Sequence, residues 1–313
     1  MLDNLIYSLN ATAPVFLVML AGYILRQTGW VNENFVNVAN KINFRLTLPA
    51  LLLQDLMACD IRKVFDVKFV LYCAIVTSIC FWGIWGLSRL FVKHKSIRGA
   101  FVQASFRGSV AVLGIAMIVN IYGEASLMPL VLIGAVPLYN IYSVIVLMME
   151  SNEEKGKSAK DVAKGIFTNP IILAIAAGMI LSIFHVKFPT MVANTIGNFA
   201  KMATPLALLA LGAGFEGASA IAKLKPTIVA SSIKLLIQPV LFLPFAVWLG
   251  FRDAELLAIL IMLGSPTTPS CYIMAKNMGN DGVLTSSIVV LTTVMSAFTI
   301  TGLLFVLKTM GFV

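Results

Sequence analysis

Long apolar runs dominate the sequence. Ten runs of about 20 or more mostly apolar residues follow one another along the 313-residue chain, separated by short polar breaks. An α-helix needs about 20 such residues to cross a hydrocarbon core about 30 Å thick. The sequence therefore predicts an all-α polytopic membrane protein with ten transmembrane helices. The predicted spans are 4–25, 34–57, 67–92, 98–122, 126–148, 166–184, 190–215, 226–249, 254–278 and 283–307.

The composition excludes a soluble fold. Hydrophobic residues make up 59% of the chain and charged residues 12%, and the mean hydropathy is +0.93. A soluble domain has about 25% charged residues. The first run begins at Asp3 without a basic segment and has no small-residue cleavage site after it, so we expect a retained helix and not a signal peptide.

The basic residues that give the chain its net charge of +9 lie at helix ends. They therefore indicate how the helices are oriented in the membrane, and they do not indicate nucleic-acid binding. With the N-terminus outside, twelve basic residues fall on the inner side and six on the outer side. The positive-inside rule then places both termini outside and the 149–165 loop in the cytoplasm. Arg62, Lys63 and Lys68 run against this rule. We expect a cell membrane, inner or plasma, as the location, with the lipid bilayer as a partner.

The chain repeats itself at an offset of 156 residues. The segments PVFLVMLAGYIL from Pro14 and PIILAIAAGMIL from Pro170 match at six of twelve positions. The same offset pairs Pro49 with Pro205. It also pairs Gly108-Ser109 with Gly264-Ser265. A shared register across three helices predicts two five-helix repeats, at 1–148 and 166–313, joined by the linker 149–165. Because five is odd, the repeats must be inverted, an arrangement typical of alternating-access carriers.

The fourth helix of the second repeat carries the clearest signal for a site, GSPTTPSCYIMAKNMGND from Gly264. Pro266 and Pro269 remove backbone donors, and the residues before them favour extended geometry. We therefore predict a break near the bilayer midplane and a second half-helix starting near Ser270. Its free N–H groups would be capped by Thr267, Thr268 or water, or would bind an anion. The alternative is a proline kink that its neighbours satisfy.

The equivalent helix of the first repeat, SFRGSVAVLGIAMIVNIYG from Ser105, has no proline. Its predicted break depends on Gly108 and Gly114, and on the repeat register that places Gly108-Ser109 opposite Gly264-Ser265. Two broken helices would then direct half-helix ends into one cavity.

Several charged residues lie within apolar runs. An arginine at the centre of a bilayer costs about 2.5 to 3.5 kcal/mol or more, so Arg107 must attract a substrate anion, pair with a carboxylate or reach a wet surface. Arg45 and Lys201 share a repeat position and either form a coupling or charge-pair site or snorkel to the interface. Lys234 is a further candidate without an evident partner. Asp55 carries a coupling proton or pairs with one of these cations.

The sequence does not indicate an enzyme. We find no aspartate pair, serine–histidine dyad or HExxH motif of an intramembrane hydrolase. The four cysteines lack CxxC spacing and the two histidines are far apart, so neither a metal nor a cofactor is expected. A channel does not require duplicated broken helices, although a hydrophobic pore stays an alternative.

The chain resembles the auxin efflux carrier family, which includes plant PIN-type carriers and bacterial permeases. The resemblance covers nearly the whole length. It is best at VLGIAMIVNIYG (112–123), SPTTPSCYIMAKN (265–277) and TSSIVVLTTVMS (285–296). It implies a ten-helix inverted-repeat fold, related to bile-acid symporters and sodium/proton antiporters, with broken crossover helices 4 and 9. It also implies scaffold helices 1, 2, 6 and 7, a moving core of helices 3–5 and 8–10, an elevator-like cycle, a homodimer through the scaffold, and small carboxylates as substrates.

Two departures from the family pattern lie in the first crossover. Ser109 stands where the family commonly has asparagine, and Ala116 where proline often follows glycine-isoleucine. A hydroxyl would therefore replace the amide as a donor to the substrate.

The sequence thus predicts a secondary carrier of a small organic anion, a mono- or dicarboxylate or an auxin-like acid. A proton- or sodium-coupled symporter or antiporter of the same fold is the alternative, although paired acids that would favour an antiporter are absent from the crossovers. The predicted substrate-binding residues are Arg107, Gly108, Ser109, Gly114, Ser265, Pro266, Thr267, Thr268, Pro269 and Ser270.

Overall fold

A computed structural model of the chain describes residues 2–58, 66–110, 128–151, 159–186 and 188–313. Within these ranges the secondary structure is helical and contains no strand. Five of the described helices are long and apolar enough to cross a membrane: Val67–Phe91, Val131–Met149, Thr190–Ala213, Leu224–Trp248 and Gly282–Thr309. Two shorter apolar stretches, Thr12–Gln27 and Pro170–Ile183, accompany them. The fold is therefore that of a polytopic helical membrane protein.

Two helices in the first half of the chain begin at side-chain N-caps. Asn32 accepts a hydrogen bond from the Phe35 N–H, and Asp66 accepts one from the Phe69 N–H, so both act as N-caps. The helices of this half are α1 (Leu2–Gln27), α2 (Glu33–Ile42), α3 (Leu48–Ala58), α4 (Val67–Phe91), α5 (Lys95–Phe106) and α6 (Met128–Met149). A π-helical turn, Asn43–Thr47, joins α2 to α3.

The second half has its own caps. The Asn169 side chain accepts from the Ile171 N–H at the start of a helix whose first residue is Pro170, a position where proline is tolerated. The helices are α7 (Ala159–Phe167), α8 (Pro170–Ile183), α9 (Thr190–Ala213), α10 (Gly217–Ala222), α11 (Leu224–Ser232), α12 (Gln238–Trp248), α13 (Asp253–Gly264), α14 (Ser270–Asn277) and α15 (Gly282–Thr309). A second π-helical turn, Ile233–Ile237, joins α11 to α12.

The two halves pack together through glycine. Helix α1 lies against α9, and a Cβ on Gly212 would collide with the backbone of Met19. A Cβ on Gly22 would collide with the carbonyl of Leu209. Such direct backbone contact is typical of helix packing in membranes. Helix α3 in turn packs against α8 and α9.

A second packed group surrounds the broken helices. Helix α4 packs against α5 and α6, and α15 packs against α5, α11, α13 and α14. The Phe81 ring stacks on Tyr142 with 4.3 Å between centroids and meets the edge of Phe106 at 5.2 Å. Phe106 is the last residue of α5, so these aromatic contacts hold the end of that helix against α4 and α6.

Candidate functional site

The two helix interruptions lie directly against each other. Residues 107–109 are not helical, and α13 and α14 are separated by residues 265–269. The Ser109 N–H donates to the Pro266 carbonyl over 2.8 Å. A Cβ on Gly108 would collide with the Ser265 hydroxyl, so a larger residue here would force that side chain to turn away. The backbone of one break is therefore hydrogen-bonded to the backbone of the other.

The carbonyls left free where α13 ends are satisfied by Lys234. Its ammonium nitrogen donates to the carbonyls of Leu263 at 2.8 Å and Met262 at 3.2 Å, with the Gln238 amide oxygen at 3.5 Å. The Lys234 side chain is fully buried on its π-helical turn. A cation at a helix C-terminus is favourable because it opposes the negative end of the helix dipole. The partners of Lys234, which the sequence did not indicate, are therefore backbone carbonyls.

Buried side chains hold both breaks in place. The Thr267 N–H donates to the Thr292 hydroxyl at 3.1 Å, and the Thr267 hydroxyl donates to the Ala104 carbonyl at 2.7 Å. The Gln238 amide donates to the Ser105 carbonyl at 2.7 Å. These three bonds satisfy polar groups that the interruptions would otherwise leave unpaired in the interior.

A cavity of about 90 Å³ adjoins the paired breaks. One water needs roughly 10 to 15 Å³ of such space, so the cavity has room for several waters or a small organic molecule. Its lining residues are Leu48, Leu51, Leu52, Asp55, Arg107, Gly108, Ser109, Val110, Leu132, Val136, Tyr139, Asn140, Ala203, Thr204, Ala207, Thr268, Pro269 and Ser270.

Arg107 provides the positive charge of the cavity wall. It is 6% exposed, and its Nη1 contacts the Ser143 hydroxyl at 3.4 Å and the Met274 sulfur at 2.9 Å. Among the described residues, no carboxylate lies within 4.0 Å of its guanidinium. A buried charge without an ionic partner is costly, and a guanidinium has five donors suited to a carboxylate.

The start of α14 forms a second polar part of the wall. Pro269 and Ser270 line the cavity, and the N-cap position has no side-chain capping bond. The Thr268 and Ser270 hydroxyls lie 3.2 Å apart, so one donates to the other. The Cys271 and Tyr272 N–H groups donate to the Thr268 and Pro269 carbonyls, at 3.0 and 3.1 Å, so part of the predicted free donor set is satisfied by backbone. The positive end of the helix dipole still favours negative charge at this wall.

The remaining walls are mostly apolar and come from α3, α6 and α9. Three leucines of α3 and two alanines of α9 belong to this lining, and Asp55 of α3 is the acid among the described lining residues. Asp55 is partly buried. The cavity therefore joins a polar wall, made by the breaks, to an apolar wall that carries one acid.

The predicted site residues fall into four groups. Those that line the cavity are Asp55, Arg107, Gly108, Ser109, Thr268, Pro269 and Ser270. Those buried beside it but not lining it are Lys234, Ser265, Pro266 and Thr267. Arg45 and Lys201 are exposed and do not line the cavity. Gly114 lies outside the described residues.

Three polar lining residues escaped the sequence analysis. Tyr139 donates its hydroxyl to the Met262 carbonyl at 3.1 Å. Asn140 is a single amide within the apolar run of α6, and its nitrogen donates to the Val136 carbonyl at 2.9 Å. Thr204 immediately precedes Pro205 in α9, which was the signal available for it. Across the described residues, no group of three or more histidines, cysteines or acids is placed to hold a metal ion.

Comparison with known proteins shows that the chain is similar to membrane transporters. A family model described as membrane transport protein matches residues 7–304. A protein of Rhizobium meliloti (strain 1021), named "Putative malonate transporter", is 24% identical over 314 residues, covering 94% of each chain. A protein of Methanothermobacter thermautotrophicus, named "Uncharacterized transporter", is 22% identical over 293 residues, covering 92% of this chain and 95% of its own.

Proposed function

Because the chain belongs to the membrane transport protein family, which confirms its resemblance to the auxin efflux carriers, we propose that it is a secondary carrier of a small organic anion. The observation that carries this proposal is Arg107. Its buried guanidinium lines a cavity beside the two breaks and meets no carboxylate in the described part of the chain. An anionic substrate would supply the missing charge, so binding would gain a charge-assisted hydrogen bond in a dry site.

Reciprocal contacts support the proposed fold of ten spans in two inverted repeats. The 156-residue offset relates Gly22 to Gly178, and it relates Leu53 to Leu209. Gly22 packs against Leu209, and Gly178 packs against Leu53, with 3.5 Å from an added Cβ to the Leu53 Cα. Two halves related by a two-fold axis must make such paired contacts. With five spans in each half, that axis would lie in the membrane plane.

The cavity also suits the proposed elevator cycle. Its apolar wall comes largely from α3 and α9, which belong to the proposed scaffold of helices 1, 2, 6 and 7. Its polar wall comes from the two breaks, which belong to the proposed core of helices 3–5 and 8–10. A substrate held by the breaks would travel with the core past the scaffold.

We further propose that the protein forms a homodimer through the scaffold helices. Both termini would lie outside an inner or plasma membrane, and the 149–165 loop would lie in the cytoplasm.

Coupling to protons or sodium is a second candidate on the same fold. Asp55 is the acid that lines the cavity, and it contributes a site for a proton or part of a cation site. Transport by the wild-type protein and by Asp55→Asn, measured with and without a pH or sodium gradient, tests this. Coupling requires that the gradient accelerate the wild type and not the variant.

The test of the carrier proposal is binding and flux of defined carboxylates. Purified protein is titrated with mono- and dicarboxylates while its thermal midpoint is followed, and uptake is measured in liposomes. We expect at least one acid to raise the midpoint of the wild type, since a ligand of the folded state stabilises it. Arg107→Ala should weaken binding about tenfold or more. Arg45→Ala, which removes an exposed arginine away from the cavity, is the matched control. Unchanged affinity in Arg107→Ala would refute the role of this residue.

A further inference from the structure

The Lys234 ammonium fills a pocket of oxygen atoms at the paired breaks. Its three N–H donors meet three acceptors, which are the Leu263 and Met262 carbonyls and the Gln238 amide oxygen. Gln238 is held in this orientation because its amide nitrogen donates to the Ser105 carbonyl. A neutral amine would have one donor fewer, and its lone pair would face these acceptors. The surroundings therefore fit a cation.

A fourth oxygen lies close to the same place. The Ser265 hydroxyl is buried and has no hydrogen-bond partner in the part of the chain that the structure describes. It lies 2.4 Å from the position that a Cβ on Gly108 would occupy, and the Lys234 nitrogen lies 3.0 Å from the same position. Among the described residues, no carboxylate lies within 4.0 Å of this nitrogen. The ammonium is therefore held by neutral oxygens.

Neutral oxygens at the end of a broken helix are also what a metal cation requires. In membrane carriers, unwound carbonyls and the C-terminal ends of half-helices coordinate sodium. Met262 and Leu263 lie in the last turn of α13, so their carbonyls belong to such an end. The dipole of α13 places partial negative charge there, which an ammonium or a metal ion would balance equally well. Lys234 thus occupies a place at which a free cation would bind.

The lysine also lies beside the cavity wall. Gly108 lines the cavity, whereas Lys234 does not. The hydroxyl of the lining residue Tyr139 donates to the Met262 carbonyl at 3.1 Å, and Lys234 donates to the same oxygen. A sodium ion bound here would attract an anionic substrate through its positive charge. The ammonium provides that charge permanently.

We propose that the Lys234 ammonium replaces a free sodium ion at the breaks, so that the carrier binds and moves its substrate independently of sodium. Removal of the side chain would turn the same oxygens into a sodium site. This inference rests on the proposed function, because it concerns the coupling ion of that carrier. It excludes the sodium form of the second candidate above and leaves the proton form at Asp55.

The first arm of the experiment measures the thermal midpoint of the purified protein without substrate, in sodium chloride and in choline chloride of equal concentration. We expect the wild type to melt at the same temperature in both salts. Lys234→Ala removes the ammonium and opens the space, so sodium should raise its midpoint by about 2 °C or more relative to choline. Lys234→Met removes the charge but fills the space, so its midpoint should not respond. Lys201→Ala, at an exposed lysine, should behave as the wild type does.

The second arm repeats the carboxylate measurements in the two salts. Wild-type protein is titrated with acetate, malonate and succinate, and uptake of each acid into liposomes is followed with sodium or choline on both sides. We expect the affinity and the rate for any acid that binds to be the same in both salts.

The outcomes separate this inference from the one beneath it. Sodium-specific stabilisation of the wild type, or uptake that stops in choline, would overturn the inference. A Lys234→Ala midpoint that sodium leaves unchanged, or an equal response of Lys234→Met, would overturn it as well. If Lys234→Ala does not fold, Lys234→Ser opens the same space, and the wild-type measurements need no variant. If no carboxylate binds in either salt, the carrier proposal fails, while the first arm still decides whether Lys234 replaces a cation.

Discussion

The Lys234 ammonium nitrogen lies 2.8 Å from the Leu263 carbonyl oxygen, at the point where α13 ends inside the protein. The lysine therefore replaces the water that would hydrate these carbonyls at an exposed helix end. It also lies beside the other break, since a Cβ on Gly108 would be 3.0 Å from the same nitrogen. Lys234 thus bonds to the backbone at one interruption and lies beside the other, without lining the cavity.

We expect Lys234→Met to destabilise the protein. The methionine fills a similar volume but leaves the Leu263 carbonyl unpaired, which costs about 1 to 3 kcal/mol, while the Met262 carbonyl keeps its hydrogen bond from the Tyr139 hydroxyl. Loss of the buried charge offsets part of this cost. The thermal midpoint measures the balance. Lys201→Met, at an exposed lysine, is the control and should change the midpoint little. A midpoint for Lys234→Met equal to that of the wild type would show that the Leu263 carbonyl finds another partner.

Much of the fold could be predicted because its signals are local. Apolar runs give helices, and the break between Gly264 and Ser270 appears where Pro266 and Pro269 predict it. A single proline does not suffice, since Pro205 lies inside the continuous helix α9. Two prolines three residues apart remove two donors from the same turn, which neighbouring backbone cannot replace.

Other features of the site depend on distant contacts and leave no local pattern. Lys234 bonds to a carbonyl 29 residues away, and nothing in the segment SSIKLLIQP indicates the π-helical turn that carries it. The apolar lining from Leu48 and Leu51 looks like any lipid-facing stretch until α3 is packed against α9. Sequence patterns could therefore indicate the breaks but not the whole cavity around them.

Glycine at position 212 should be required for the packing of α1 on α9. A Cβ there would collide with the Met19 backbone, which cannot rotate away as a side chain does. We expect Gly212→Ala to lower the thermal midpoint, because overpacking typically costs about 1 to 3 kcal/mol. Gly83→Ala is the matched control, since a Cβ at Gly83 in α4 meets nothing within 4 Å. It should be neutral or slightly stabilising, as alanine is the better helix former. Equal midpoints for the two variants would contradict this packing.

Glu150 should be more important for stability than exposed acids are. It is 3% exposed, and it accepts hydrogen bonds from the Trp85 indole at 2.8 Å and from Arg98 at 3.2 Å. Glu150→Gln can keep the bond to Trp85 but removes the negative charge, which leaves Arg98 without its ionic partner. We expect a loss of about 1 to 3 kcal/mol, seen as a lower thermal midpoint, because Arg98 loses its ionic partner but keeps its hydrogen bonds to the Val92 carbonyl. Glu33→Gln serves as the exposed control. Equal thermal midpoints for Glu150→Gln and Glu33→Gln would show that this ion pair contributes little to stability.

We expect Asn40 to lower the stability of the protein and to assist transport. Its side chain is 2% exposed, and within the described part of the chain neither its amide nitrogen nor its amide oxygen has a hydrogen-bond partner. The amide faces the Tyr272 hydroxyl of α14, but the two do not form a hydrogen bond of normal geometry. Replacement by leucine removes two buried unpaired groups, each costing about 1 to 3 kcal/mol, so Asn40→Leu should raise the thermal midpoint.

Transport should respond in the opposite direction. In the proposed elevator cycle α14 moves past α2, and a polar group left unpaired in one state is available to pair in another. Asn40→Leu would then stabilise the present state relative to the others and slow uptake into liposomes, with substrate affinity little changed because Asn40 does not line the cavity. A variant that melts higher and transports at the wild-type rate would show that Asn40 has no partner in the rest of the cycle. A variant that melts lower would show that water or an ion satisfies the amide in the membrane.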